Sequence, residues 1–280
     1  MSKNRLVAPV LKWVGGKRQL LPQILPLLPK SFSKYQYIEP FLGGGAVLFA
    51  LQPKKALIND FNSELINVYR VIKEYPELLI ADLKKHENSA DYFYMIRKLD
   101  REDKFYFLSD IEKASRVIYL NKTCYNGLYR VNNSGEFNSP FGKYKNPNIV
   151  NEPTIRAVSN YLNKNNINIL NGDYQEILPY LSSNSFVYLD PPYHPISDTS
   201  NFTGYIKGGW DVDDQIRLRE FCDELSNKKI KFLLSNSKSS LILEEYKKYD
   251  IRSVQATRLI NSNAANRGNI DEVLIKNYEI

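Results

Sequence analysis

Short apolar runs that stop on an acidic residue recur along this chain, and helix-spaced patterns separate them. YQYIEP (residues 35–40) and KALIND (55–60) are two such runs, with the helix-compatible stretch GAVLFAL (45–51) between them. The order is therefore strand, glycine turn, helix, strand. Further strands are predicted at INIL (167–170), FVYL (186–189), IKFLLSN (230–236), IRSVQA (251–256) and EVLIKNY (272–278), and helices over 213–226 and 239–246. Strands alternating with helices predict an α/β sheet covered on both faces. Between residues 62 and 151 the pattern changes to helix-like apolar spacing and then to an aperiodic stretch, NKTCYNGLYRVNNSGEFNSPFGKYKNPN (121–148). This predicts an inserted module at 62–151 and a main domain built from 1–61 and 152–280. The aromatics of the aperiodic stretch argue for an ordered, functional loop.

Composition adds little to that picture until charge is counted. The 280 residues are 43% hydrophobic and 25% charged, an ordinary globular balance. Lysine and arginine outnumber aspartate and glutamate by 38 to 31, a net charge of +7 that favours a polyanionic partner. Only Cys124 and Cys222 occur, outside any CxxC or histidine cluster, so neither a disulfide framework nor a metal site is predicted and a reducing cytoplasm is the expected location. The N-terminal run is broken by Pro9 and Lys12, which makes a poor signal peptide, and no segment has the roughly 20 apolar residues of a membrane span.

The strand ends carry the candidate chemistry. Ligands of open α/β sheets bind beyond the carboxyl ends of strands, where Glu39, Asp60 and Asp173 fall. PFLGGGAVLF follows Glu39, and Gly43, Gly44 and Gly45 let the backbone turn tightly against a ligand. An acidic residue about 20 positions after such a turn suits a ribose hydroxyl, the place Asp60 occupies. No Walker lysine follows, which points to an adenosine ligand without a triphosphate. KWVGGKRQLL (12–21) adds Trp13, two glycines and cations upstream; a helix start with a buried tryptophan is the plainer account of it.

DPPY (190–193) ends the fourth predicted strand. Two prolines fix φ and remove two donors, which leaves carbonyls there as free acceptors beside the Asp190 carboxylate. Such a loop suits a substrate amino group, and Tyr193 offers a flat face to a base. Hydrogen bonds from the adenine amino group to Asp190 and the Pro191 carbonyl would draw its lone pair out of conjugation and aim it at an electrophile. The plain alternative is a turn after a strand, with Tyr193 as packing.

At these residues the chain resembles the Dam-type DNA adenine methyltransferases, the α group of S-adenosylmethionine-dependent enzymes. LKWVGGK (11–17), EPFLGGG (39–45), IND (58–60), YNGLYRVNNSGEFNSPFGKY (125–144), GDY (172–174), DPPY (190–193), NFTGY (201–205) and LSN (234–236) carry the likeness, in the family's order. The resemblance implies a Rossmann-like methyltransferase fold with an inserted, mostly helical target-recognition domain. It implies that Trp13, Lys17, Asp60 and Asp190 contact the cofactor, with Glu39, Phe41, Gly43, Asp173 and Tyr174 completing its pocket. Asp190, Pro191, Pro192 and Tyr193 would hold an adenine flipped out of duplex DNA. Tyr125 would wedge into the duplex, Arg130 would read a guanine edge with Lys12 as a second base reader, and Asn126, Asn138, Pro140, Lys143 and Tyr144 belong to the same DNA-binding block. NGLYR and FNSPFGKYKNP are similar to members that read GATC, and a companion restriction endonuclease is an implied partner.

Lys143 and Lys145 are placed for phosphates. His194 reads as a bystander and His86 as an exposed helical residue. Rival readings are transfer to the cytosine amino group, an RNA substrate, and a DNA-binding relative without activity.

Overall fold

A computed structural model of the protein describes residues 3–194, 210–257 and 269–280. The NFTGY block lies outside the described residues. Seven strands form one sheet: β1 (Gln36–Glu39), β2 (Lys55–Ile58), β3 (Asn166–Ile169), β4 (Ser185–Leu189), β5 (Lys231–Ser237), β6 (Asp250–Thr257) and β7 (Asn269–Lys276). Their order is β3-β2-β1-β4-β5-β7-β6. The first five are mutually parallel, and β7 inserts antiparallel between β5 and β6. Chain order reverses between β1 and β4, so their carboxyl ends flank the crevice in which such sheets bind ligands.

Why these segments are strands is visible in which neighbour each side chain meets. Tyr37, Ala56, Phe186, Tyr188, Leu233 and Leu274 join one apolar cluster, while Ile38, Leu57, Val187, Phe232, Leu234 and Val273 join another. Successive residues of a strand face opposite sides, and here both sides are dry, which explains the continuous apolar runs. Helices α1 (Leu21–Ile24), α2 (Ala46–Leu51), α3 (Ser63–Glu74), α4 (Pro76–Leu83), α5 (Ala90–Lys98), α6 (Asp110–Thr123) and α7 (Glu152–Lys164) supply the first cluster; α8 (Val212–Asn227) and α9 (Ser240–Glu245) supply the second.

Helix starts follow local chemistry. The Asn62 side chain accepts from Leu65 N at the start of α3, and Ser109 with Glu112 forms a capping box on α6. Helix α7 begins at the boundary predicted between 151 and 152, but the sequence patterning predicts no helix there. No helix among the described residues is long and apolar enough to cross a membrane.

The aperiodic stretch folds back on itself. Bridges pair Cys124 with Phe141 and Val131 with Phe137, and Asn138 N donates to the Arg130 carbonyl at 2.9 Å. His86 differs from expectation: it lies in the loop after α4, half-buried, bonded to Tyr92 and Ser115 and stacked on Tyr119 at 4.4 Å. Burial pushes its pKa down to about 4, so it is neutral near pH 7.

Candidate active site at the strand ends

Asp190 follows β4 directly, and two donors meet one of its oxygens. Lys17 Nζ lies 2.8 Å from Oδ1, and Ser235 Oγ on β5 donates to the same atom at 2.9 Å. Lys17 is buried; it also donates to the Gly15 carbonyl at 2.6 Å and sits 4.4 Å from the Tyr193 ring centre. Burial pushes the Asp190 carboxyl above its ordinary range, and Lys17 and Ser235 pull it partly back. With Oδ1 held by two donors, Oδ2 is the oxygen turned to other work.

The rest of the loop is fixed from behind. Gln215 on α8 donates to the Pro192 carbonyl at 2.9 Å, and Asn236 links Gln215 to His194 N. The expectation that both proline carbonyls stay free therefore needs correction. Proline 192's carbonyl is consumed by a buried amide, whereas no donor among the described residues reaches that of Pro191. Tyr193 donates to Glu272 on β7 at 2.7 Å, which anchors its ring by the far edge.

A small cavity adjoins this loop, lined by Trp13, Lys17, Glu39, Gly43, Gly44 and Asp190 among others. Gly43 has φ +49, and a Cβ there would stand 2.8 Å from Trp13 Cδ1, so glycine permits the turn to lie on the indole. Asp60, after β2, accepts from Gly43 N at 2.8 Å and Asn62 N at 2.9 Å. Burial raises its pKa to about 6 despite those two bonds. Glu39 is buried at the end of β1, accepts from Tyr37, and is pushed well up by burial.

Phe41 and Tyr174 stack at 5.1 Å, with Trp210 edge-on to Phe41 at 5.7 Å. No ring fits between two rings that close, so a bound base would meet their edges. The Tyr174 hydroxyl and the Trp210 indole nitrogen are buried without a hydrogen-bond partner among the described residues. Asp173 is held by Arg217 at 2.7 Å and caps the turn that begins at Tyr174.

Most of the residues expected to bind DNA are exposed. Tyr125 is 57% and Tyr144 41% exposed, enough to present whole ring faces to solvent. Lys12, Pro140, Lys143 and Lys145 are exposed too. Asn126 and Lys143 adopt left-handed φ of 58° and 55°. The half-buried Arg130 guanidinium is braced by Asn138, Nε to Oδ1 at 2.6 Å and Nη2 to the carbonyl at 3.2 Å.

Residues 13–260 match the family described as D12 class N6 adenine-specific DNA methyltransferase. The chain belongs to that family. It is 45% identical over 281 residues to the type II methyltransferase M1.LlaDCHI of Lactococcus lactis subsp. cremoris, covering 99% of this chain and 98% of that one. It is 42% identical over 290 residues to the type II methyltransferase M.MjaIII of Methanocaldococcus jannaschii, covering 97% and 99%. The DNA adenine methylase of Escherichia coli K12 is 34% identical over 278 residues, covering 98% and 95%.

The protein is thus a Dam-like, site-specific DNA methyltransferase acting on adenine N6, and the cytosine and non-catalytic readings fall away. Membership implies DNA as substrate and S-adenosylmethionine as methyl donor. The site suits that donor. It has a glycine turn that comes within contact of an indole, a buried carboxylate with lone pairs to spare for hydroxyls, and two orphaned buried donors beside Phe41.

Sequence reasoning passed over Ser235, Gln215, Glu272 and Trp210. Only Ser235 had a signal, because it stands inside the LSN block.

Proposed function

We propose that the chain methylates adenine N6 within GATC in duplex DNA, after the base has left the helix, in the cytoplasm and alongside a companion restriction endonuclease. The observation that carries the catalytic part is the one-sided tethering of Asp190: Lys17 and Ser235 hold Oδ1, and the Pro191 carbonyl has no donor among the described residues. An adenine amino group has two hydrogens, and Oδ2 and that carbonyl are two acceptors for them. Accepting both pulls the nitrogen toward tetrahedral geometry and frees its lone pair. S-adenosylmethionine supplies the electrophilic methyl group. The raised Asp190 pKa makes its carboxylate the apt acceptor for the proton that N6 must lose.

In this reading Trp13, Lys17, Asp60 and Asp190 hold the donor, Glu39, Phe41, Gly43, Asp173 and Tyr174 complete its pocket, and residues 62–151 form the target-recognition part. The likeness of NGLYR and FNSPFGKYKNP to GATC readers supports the target. Higher identity to two type II methyltransferases than to the E. coli methylase supports the restriction partner.

The test is transfer of labelled methyl groups into two duplexes that differ only in GATC against GTAC. Methyladenine from GATC alone is the expected result; label in both overturns the target. Arg130→Ala is expected to lower discrimination by roughly 1–3 kcal/mol, the range for a lost bidentate base contact. Unchanged ratios of kcat/KM between GATC and a duplex in which the guanine is replaced would remove Arg130 from the readers.

Asp60 gives a pH prediction. Its ionised form accepts from a ribose hydroxyl more strongly than the neutral acid, so donor affinity should fall as pH drops through about 6. Equilibrium binding at several pH values checks this, and Asp60→Asn should flatten the curve. The sign for stability is opposite. The native state binds this proton more tightly than the unfolded chain, so this group's contribution declines as pH rises from the ordinary carboxylate range to about 6.

A further inference from the structure

Asn121, on α6, is 1% exposed and lies outside the blocks that carry the family likeness. Its amide joins two segments 109 residues apart in the chain, accepting from Lys12 N at 2.9 Å and donating to the Lys12 carbonyl at 2.8 Å. It also donates to the Gly127 carbonyl at 3.1 Å. A backbone N–H can only donate and a carbonyl can only accept, so these partners fix which way the amide points.

The two segments joined are those that carry the proposed base readers. Lys12 precedes Trp13 in the stretch that lines the donor cavity. Gly127 lies between Tyr125 and Arg130 at the start of the folded-back loop. Gly127 has φ +63, and a Cβ there would stand 2.9 Å from Lys12 Cδ, so the lysine stem lies directly on the glycine. One residue beyond Lys12 and two beyond Gly127, Trp13 stacks on Tyr129 at 4.9 Å, and the Tyr129 hydroxyl donates to Glu64 at 2.6 Å.

We propose that Asn121 is a positioning residue for target specificity, setting through this backbone clasp the spacing between Lys12 and the 125–130 loop on the duplex. The inference rests on the assignment of Lys12 and Arg130 as base readers. Hydrogen bonds to base edges weaken steeply with distance and angle. Two readers from remote segments keep one register only if something rigid ties their backbones together. A buried side chain that satisfies both polar groups of one residue and a carbonyl of the other does that.

The test compares discrimination, the ratio of kcat/KM on the target duplex to that on single-base variants. Asn121→Asp keeps the shape and the acceptor for Lys12 N but sets a carboxylate against two carbonyls. It should lower discrimination about ten-fold, the size of a weakened base contact. In a Lys12→Ala background the same change should cost less than about two-fold, because residues acting through one another do not add.

Gly127→Ala leaves the Asn121 amide intact and pushes on the lysine stem. It should show the same pattern and serves if Asn121→Asp does not fold. Full discrimination in both variants, or an Asn121→Asp effect that adds fully to Lys12→Ala, overturns the proposal in favour of a purely structural role. If Lys12→Ala alone leaves discrimination unchanged, the assignment of Lys12 fails and the inference with it. If Lys12→Ala lowers discrimination and Asn121→Asp does not, only the inference falls.

Discussion

Asp190→Ala should lower single-turnover methyl transfer by about 10²–10³-fold, the usual loss when one preorganised electrostatic contact to the reacting group is removed. Duplex binding should change little, because the exposed residues proposed to grip DNA do not include Asp190 and none of them bonds to it. The mutation also strands Lys17, whose side chain is 6% exposed and which among the described residues keeps the Gly15 carbonyl and the Tyr193 ring as its polar and ring partners. Breaking a buried pair by removing one partner costs about 3–5 kcal/mol, so melting must be measured beside activity. Asp190→Asn separates the two effects. Its amide oxygen can still accept from Lys17 and Ser235 in place of Oδ1, but its NH2 then stands in place of Oδ2 and cannot accept from the adenine amino group, so less stability should be lost than with alanine while the rate stays near that of alanine. Activity within about ten-fold of wild type for the folded alanine variant would end the role given to this carboxylate, since one hydrogen bond to a charged group is worth more than that.

What could be read in the sequence, and what could not, divides along one physical line. The strands were legible because apolar residues run unbroken where both faces of a sheet are covered, as in FVYL. The catalytic end of the fold was legible for the complementary reason: an apolar run that stops on Asp60 or Asp190 marks where a buried strand emerges. The position of β7 between β5 and β6 was not legible, because pairing order resides in contacts between remote segments. The same holds for the groups behind the site. Ser235 and Glu272 are polar residues inside strands, and Asn121 is one inside a helix. Nothing in their local spacing tells an inward-facing partner from a solvated neighbour. His86 was misread as exposed for that reason, since its polar surroundings in sequence gave no sign of the Tyr119 ring beneath it. Proline 192 is the subtler case. The removal of donors by proline was read correctly, but what occupies the carbonyl depends on Gln215, which is remote in sequence.

Arg116→Met should destabilise the protein by about 3 kcal/mol, at the low end for a buried pair that loses one partner. Arg116 is 2% exposed on α6, and its Nη2 lies 2.6 Å from Asp100 Oδ2. Its guanidinium also donates to the Ile96 and Arg97 carbonyls at 3.0 Å. Methionine fills much of the volume but leaves the Asp100 carboxylate, 9% exposed, with less compensation. The low end is expected because Arg101 still pairs with Oδ1 and Phe137 N still donates to Oδ2 at 2.7 Å. That last bond extends the consequence to function. Phe137 is bridged to Val131, the residue after Arg130, so a shift of Asp100 moves the loop that carries the proposed guanine reader. Denaturant unfolding should show the loss of stability. Discrimination between GATC and a duplex with the guanine replaced should fall in parallel, measured well below the unfolding transition. Loss of stability with discrimination intact would show that Arg101 alone holds the loop in place, and a change below about 1 kcal/mol would place Arg116 among the buried ions whose desolvation cost cancels their attraction.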